Sequence, residues 1–231
     1  MSPLSIPASF PPLVVGSVAN AAEWSAACAA APACDVVELR ADGLKAGEVA
    51  GIDLAACPLP VLLTVRCEEE GGLRRNFPTA ERVAMAQCLL PKAAALDWEI
   101  AHLAEAQPLI QEAHAAGIPV IASAHDFEKT PDVAHCRVLE QQARALGADV
   151  VKFAFRLNRY EDMQMGVDLL RGATGPMAVM GMGALGAASR LIYAQHGSVL
   201  VYGYLGDTPT APGQWSAALC RQALSRLTAA E

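Results

Sequence analysis

Lysine is scarce in this chain: only Lys45, Lys92, Lys129 and Lys152 occur among 231 residues, and the excess of acid over base leaves a net charge of −7. A polyanionic partner needs a basic face, so nucleic acid and an anionic membrane surface are excluded as principal partners. Any small anion must be met by individual arginines. No C-x-x-C pair is present, and the seven cysteines are an odd number scattered from Cys28 to Cys220. That is the pattern of reduced thiols in a cytoplasmic protein, not of a disulfide framework. With no H-E-x-x-H and no Cys/His cluster in the sequence, a metal is not required. Neither long uncharged stretch reads as a membrane segment. Residues 1–22 contain Ala19-Asn20-Ala21, which resembles a signal-peptide cleavage site, but they lack a basic leader and carry prolines at 3, 7, 11 and 12. The stretch 172–189 holds Pro176 and five glycines.

What is present is a repeating alternation. Apolar, β-branched runs at 13–18, 35–40, 60–66, 94–100, 119–124, 149–155, 176–182 and 198–204 predict strands. Between and after them, Ala/Leu-rich segments near 20–31, 45–56, 79–91, 105–116, 132–146, 160–171, 186–196 and 213–229 predict helices. Start signals include Thr130-Pro131-Asp132, with Thr130 as N-cap before a proline, and Thr79-Ala80-Glu81. Strand followed by helix, repeated eight times without a linker, predicts parallel strands, right-handed crossovers and one closed (β/α)₈ TIM barrel domain over 1–231.

In such a barrel the polar residues near the C-terminal ends of the strands face the active site, and the two-residue period of a strand selects them. Glu38 and Arg40 share one face, as do Thr64 and Arg66, Asp97 and Glu99 around Trp98, and Ser123 and His125; Lys152 lies between Val151 and Phe153, and Met180 and Met182 end the seventh strand. Lys152 is the most informative of these. An ammonium inside an apolar strand is costly unless it reaches solvent, pairs with a carboxylate or serves a purpose. A desolvated lysine becomes an amine nucleophile for carbonyl compounds. His125 is either a core histidine or a general acid/base, since an imidazole exchanges protons near neutral pH.

Several segments stand in a characteristic order: Glu38-Leu39-Arg40-Ala41-Asp42, Thr64-Val65-Arg66 with Glu70-Gly71-Gly72, Ser123-Ala124-His125-Asp126-Phe127 with Thr130-Pro131, Asp149-Val150-Val151-Lys152, Met180-Gly181-Met182 with Ser189-Arg190, and Ala211-Pro212-Gly213-Gln214. Together they resemble the type I 3-dehydroquinate dehydratases, Schiff-base-forming enzymes of the shikimate pathway. The resemblance implies a lyase that needs no cofactor, acts on 3-dehydroquinate and forms a homodimer. It assigns Lys152 to the imine, His125 to proton transfer and Glu70 to support of the histidine. It also places Glu38, Arg40 and Arg66 around the substrate hydroxyls and Arg190, Gln214 and Thr210 around the carboxylate. Read without it, Glu38, Arg40 and Arg66 form an ion-pair cluster at the barrel mouth. Thr210 stands where a serine is usual, Ala124 where a larger residue is common, and the first-strand contact falls on Gly16 or Ser17.

Two other readings compete. Another Schiff-base barrel such as an aldolase would need a phosphate cradle at the last two strands, whereas Ser189-Arg190 and the 211–214 segment suit a carboxylate. Gly181-x-Gly183-x-x-Gly186, with Asp207 21 residues further on, matches a dinucleotide fingerprint but leaves room for only one more strand. On the barrel reading, the same segment offers backbone N–H groups to a carboxylate.

Overall fold

The computed structural model describes residues 3–7, 10–29, 33–207, 209 and 213–228. Eight strands form one parallel sheet: β1 (Leu13–Val18), β2 (Val36–Arg40), β3 (Val61–Thr64), β4 (Ala95–Glu99), β5 (Val120–Asp126), β6 (Val150–Arg156), β7 (Met177–Met182) and β8 (Leu200–Tyr204). The ladder runs β7-β6-β5-β4-β3-β2-β1-β8, and the ends nearly meet: Val199 N–H donates to the Met177 carbonyl at 2.9 Å, and Val179 N–H to Ser198 Oγ at 3.1 Å. This is the (β/α)₈ barrel that the alternation predicts. Each run is rich in valine, leucine, isoleucine or alanine because both of its faces are buried, one in the barrel and one under the helices.

The helices are α1 (Ala21–Ala29), α2 (Ala46–Val49), α3 (Thr79–Leu89), α4 (Gln107–Ala115), α5 (Val133–Ala145), α6 (Glu161–Arg171), α7 (Gly186–Gln195) and α8 (Ala217–Thr228). Trp98, Leu39, Val151 and Phe153 pack against them in the outer core, which fixes their neighbours Asp97, Glu99, Glu38, Arg40 and Lys152 on the inner face. At the bottom of the barrel, Val36, Leu62, Ala95, Ile121, Val150, Ala178 and Leu200 form an apolar floor. Leu4 plugs that floor, its N–H donating to the Ala94 carbonyl at 2.9 Å.

Four local expectations are corrected. The predicted helix 45–56 is the short α2 and a separate 3-10 turn, Leu54–Ala56. Glycines at 47 and 51 weaken the helix, and the Asp53 carboxylate accepts the Ala55 N–H and starts the second turn. The helix expected from 213 begins at Ala217, because residue 216 is still extended and bridges Tyr204. Asp132, not Thr130, caps α5, accepting the His135 N–H at 2.8 Å, while Thr130 Oγ1 donates to the Arg156 carbonyl. Thr79 is the first residue of α3 and makes no cap hydrogen bond; Pro78 occupies the cap position.

Candidate active site

The C-terminal ends of the strands enclose a cavity lined by Glu38, Arg66, Glu70, His125, Lys152 and Arg190, with Ser17, Arg40, Met180, Met182, Tyr202 and Gln214 completing the wall. A larger cavity between α1 and the chain after β8 is lined mainly by alanines and Leu205 and gathers no set of reactive groups. The smaller one is the candidate site because of its chemistry.

Lys152 rises from the middle of β6 and is 3% exposed. Its ammonium donates to Asp97 Oδ2 at 2.6 Å and lies 4.4 Å from the centre of the Tyr202 ring. Asp97 also accepts Arg66 Nη2 and Ser123 Oγ, each at 2.7 Å through Oδ1. Burial alone raises a carboxyl pKa, but here Arg66, Lys152 and the Ser123 hydrogen bond outweigh it and hold Asp97 well below the usual carboxylate range. Arg66 donates through Nη1 to Glu99 Oε1 at 3.1 Å and to Ser123 Oγ at 2.6 Å. Glu99 in turn accepts the Cys67 N–H and pairs with Arg82, a buried arginine of α3 that also caps the Val65 carbonyl and stacks 4.4 Å from the Trp98 ring.

His125 is the penultimate residue of β5 and lines the cavity. Glu70, in the 3-10 turn Glu68–Glu70 after β3, accepts the His125 N–H at 2.9 Å and faces its Nδ1 at 2.8 Å through the same oxygen. Burial pushes the Glu70 carboxyl up to about 7, helped by Glu99 and opposed by Arg66. Burial, together with the nearby Arg66 and Lys152 charges, holds His125 well below its ordinary value. With Nδ1 turned to Glu70, Nε2 is the ring nitrogen left for chemistry in the cavity.

The remaining assigned residues are placed unevenly. Glu38 accepts Ser17 Oγ at 2.5 Å and Thr64 Oγ1 at 2.8 Å; of the two β1 candidates, Ser17 lines the cavity, whereas a Cβ at Gly16 would meet the Leu205 side chain. Arg40 grips Asp42 with two hydrogen bonds and also donates to the Gly71 carbonyl. The alternative of one Glu38–Arg40–Arg66 ion-pair cluster is therefore not formed, since each of the three is held by a different partner. Arg190 is 2% exposed and makes no ion pair among the described residues; Nε donates to the Tyr202 carbonyl at 3.0 Å and Nη1 to the Gly181 and Gly186 carbonyls at 3.2 and 2.6 Å. Burial with no carboxylate at hand lowers its pKa. Gln214 lines the cavity; Thr210 lies outside the described residues.

The glycine segment works differently from its sequence reading. The Gly181 N–H donates to Ser189 Oγ and the Gly186 N–H to the Gly183 carbonyl, so these two N–H groups are engaged within the protein. The carbonyls of Gly181 and Gly186 instead hold the Arg190 guanidinium at the cavity wall. Among the described residues no dinucleotide half-fold follows, since β8 is the one strand after this segment.

The model of the type I 3-dehydroquinases matches residues 11–231. The chain belongs to the type I 3-dehydroquinase family. It is 32% identical over 211 residues to a 3-dehydroquinate dehydratase of Methanocella arvoryzae, covering 89% of this chain and 92% of that one. A 3-dehydroquinate dehydratase of Thermodesulfovibrio yellowstonii is 32% identical over 185 residues, 78% of this chain and 80% of the other. The solved 3-dehydroquinate dehydratase of Enterococcus faecalis superposes with a TM-score of 0.82 at 27% identity, over 96% of each chain.

In this type I dehydroquinase chain, Asp97, Glu99, Ser123, Tyr202 and Arg82 have partners that the sequence does not reveal. Asp97, Glu99 and Ser123 were recognisable as inward-facing, but strand alternation says nothing of which cation each meets. Tyr202 and Arg82 gave no signal at all, since a tyrosine in a strand and an arginine on a helix are ordinary. Among the described residues, one trio carries metal-ligand atoms close together, Cys67, Glu69 and His102, and none of the three lines the cavity. No described helix is long and apolar enough to cross a membrane.

Proposed function

We propose that the chain, as one barrel domain, removes water from 3-dehydroquinate to give 3-dehydroshikimate through an imine on Lys152, a step of the shikimate pathway. The observation that carries the assignment is the buried Lys152 ammonium opening on the same cavity as the His125–Glu70 pair. Attack on the ring ketone needs the free amine, so Lys152 first releases a proton to water in the cavity, and a proton is taken up again by the carbinolamine hydroxyl as it leaves. Loss of the carbonyl oxygen as water then leaves an iminium, which returns a positive charge to the nitrogen that Asp97 faces at 2.6 Å. The same carboxylate thus favours the intermediate as it favours the resting ammonium. The iminium acidifies the neighbouring C–H, and His125 Nε2 takes that proton while Glu70 holds Nδ1. His125 then returns the proton to the departing hydroxyl, and hydrolysis of the imine frees the product and Lys152.

Arg190 is the partner for the substrate carboxylate. A guanidinium this buried and without an ion pair among the described residues suits an anionic ligand, and its backbone bonds hold it in place before one arrives. Gln214, and by resemblance Thr210, complete that side. Glu38, Arg40 and Arg66 border the hydroxylated side, with Glu38 the one hydrogen-bond acceptor among the three. The homodimer rests on the family resemblance, and the cytoplasmic setting also on the seven free thiols.

Reduction with borohydride in the presence of substrate should attach the ligand covalently to Lys152, read by peptide mass spectrometry. An unmodified chain, or label on Lys45, Lys92 or Lys129, would overturn the proposal.

A further inference from the structure

The turn that carries Glu70 has a second chemistry on its other side. Cys67 follows β3, Glu69 is in the adjoining 3-10 turn, and His102 ends the 3-10 turn Ile100–His102 after β4. One ligand atom from each, the thiol sulfur, a carboxylate oxygen and an imidazole nitrogen, lie within 4.8 Å of one another. The sequence shows no such cluster because residues 67 and 102 are brought together only by the β3–β4 pairing.

Three observations distinguish this trio from a chance meeting of side chains. His102 Nδ1 is shielded from solvent and has no hydrogen-bond partner, and Glu105, at 3.7 Å, is beyond hydrogen-bond reach. A buried polar atom without a partner calls for a water or an ion beside it. The Cys67 thiol is 3% exposed and its sulfur lies within 4.8 Å of a Glu69 carboxylate oxygen, so sulfur and carboxylate already stand at one place. Glu69 is exposed and free to swing, which leaves a path from solvent and an open coordination position. Zinc–sulfur and zinc–nitrogen bonds of about 2.3 and 2.0 Å imply ligand-to-ligand spacings of roughly 3.3–3.8 Å, within reach of a small movement of Glu69.

The geometry points to a divalent-cation site of the zinc class, formed by Cys67 Sγ, a Glu69 carboxylate oxygen and a ring nitrogen of His102, with solvent as the fourth ligand. The mixed S, O and N donor set favours zinc over magnesium or calcium, which take oxygen ligands. Binding displaces the thiol proton to solvent. With thiolate and carboxylate together neutralising the dication, the trio leaves no net charge beside the active site. An ion there ties the end of β3 to the end of β4, and so restrains the turn whose next residue, Glu70, holds His125.

The test uses the full chain freed of metal by chelation, with Cys88→Ser to remove the exposed thiol. Zinc should bind at one equivalent and raise the melting temperature. Cobalt(II) in its place should give a thiolate-to-metal charge-transfer band in the near ultraviolet. His102→Ala should weaken zinc at least tenfold, and Cys67→Ser should abolish the cobalt band, with circular dichroism showing both variants folded. Absence of one-equivalent binding, or equal zinc affinity in His102→Ala and its parent, would overturn the site.

Discussion

At the scale of single residues, the site is organised by which charges meet. Lys152 was legible from sequence because an ammonium inside an apolar strand demands a reason, and the structure supplies two: a carboxylate at 2.6 Å and an aromatic face at 4.4 Å. The carboxylate itself was not legible as a partner, since Asp97 and Glu99 are equally inward and only the register of β4 against its neighbours separates their roles. The Glu70–His125 pair makes a prediction about pH. Glu70 is proton-bound below about 7 and ionised above it. Only the ionised form steadies the imidazolium that proton abstraction creates, so kcat/KM should rise as pH increases through that value. In Glu70→Gln the amide oxygen still accepts from Nδ1–H but cannot titrate. The acid limb should then move to lower pH, where His125 alone is protonated, with the plateau reduced by about 10². An unchanged pH profile in the variant would separate Glu70 from the chemistry.

At the scale of elements, the strands were readable because both faces are buried and their apolar runs are continuous, while the loops that finish the site were not. The alternation placed Glu38, Arg66, His125 and Lys152 on one mouth, as found. It had no means of showing that the glycine segment after β7 turns its carbonyls to Arg190. That depends on backbone turns, and sequence reads these only through glycine. One such contact is sharply constrained. Gly213 has φ of +72°, and a Cβ there would lie 2.0 Å from the Gly183 carbonyl oxygen, so the loops after β7 and β8 touch through bare backbone. Gly213→Ala should force them apart and shift Gln214 with them. The Michaelis constant should increase, while borohydride still labels Lys152, because neither loop carries the lysine. Unaltered kinetics in that variant would show that the loop contact does not shape the site.

At the scale of the molecule, stability and catalysis sit at opposite ends of the barrel. Leu4 fills the floor from below, far along the strands from the cavity. Leu4→Ala should cost about 2 kcal/mol, toward the low end for burial of a leucine, and lower the melting temperature with kcat unchanged. A matching fall in kcat would mean that floor and mouth are coupled. The barrel is also unequal around its circumference. From β8 through β1 to β7 the strands are paired in a continuous ladder, and this arc carries Arg66, Asp97, His125 and Lys152. Between β7 and β8 the backbone contact is sparse, and there Arg190 reaches from the Gly181 carbonyl on one side to the Tyr202 carbonyl on the other. The residue proposed to meet the anion is therefore also the clasp of the seam. On that proposal occupancy and closure are linked equilibria: a bound carboxylate should tighten the guanidinium that joins β7 to β8, and its departure should loosen the joint. Slower amide exchange in β8 upon ligand binding, with β4 and β5 unchanged, is the mark of such a fastening.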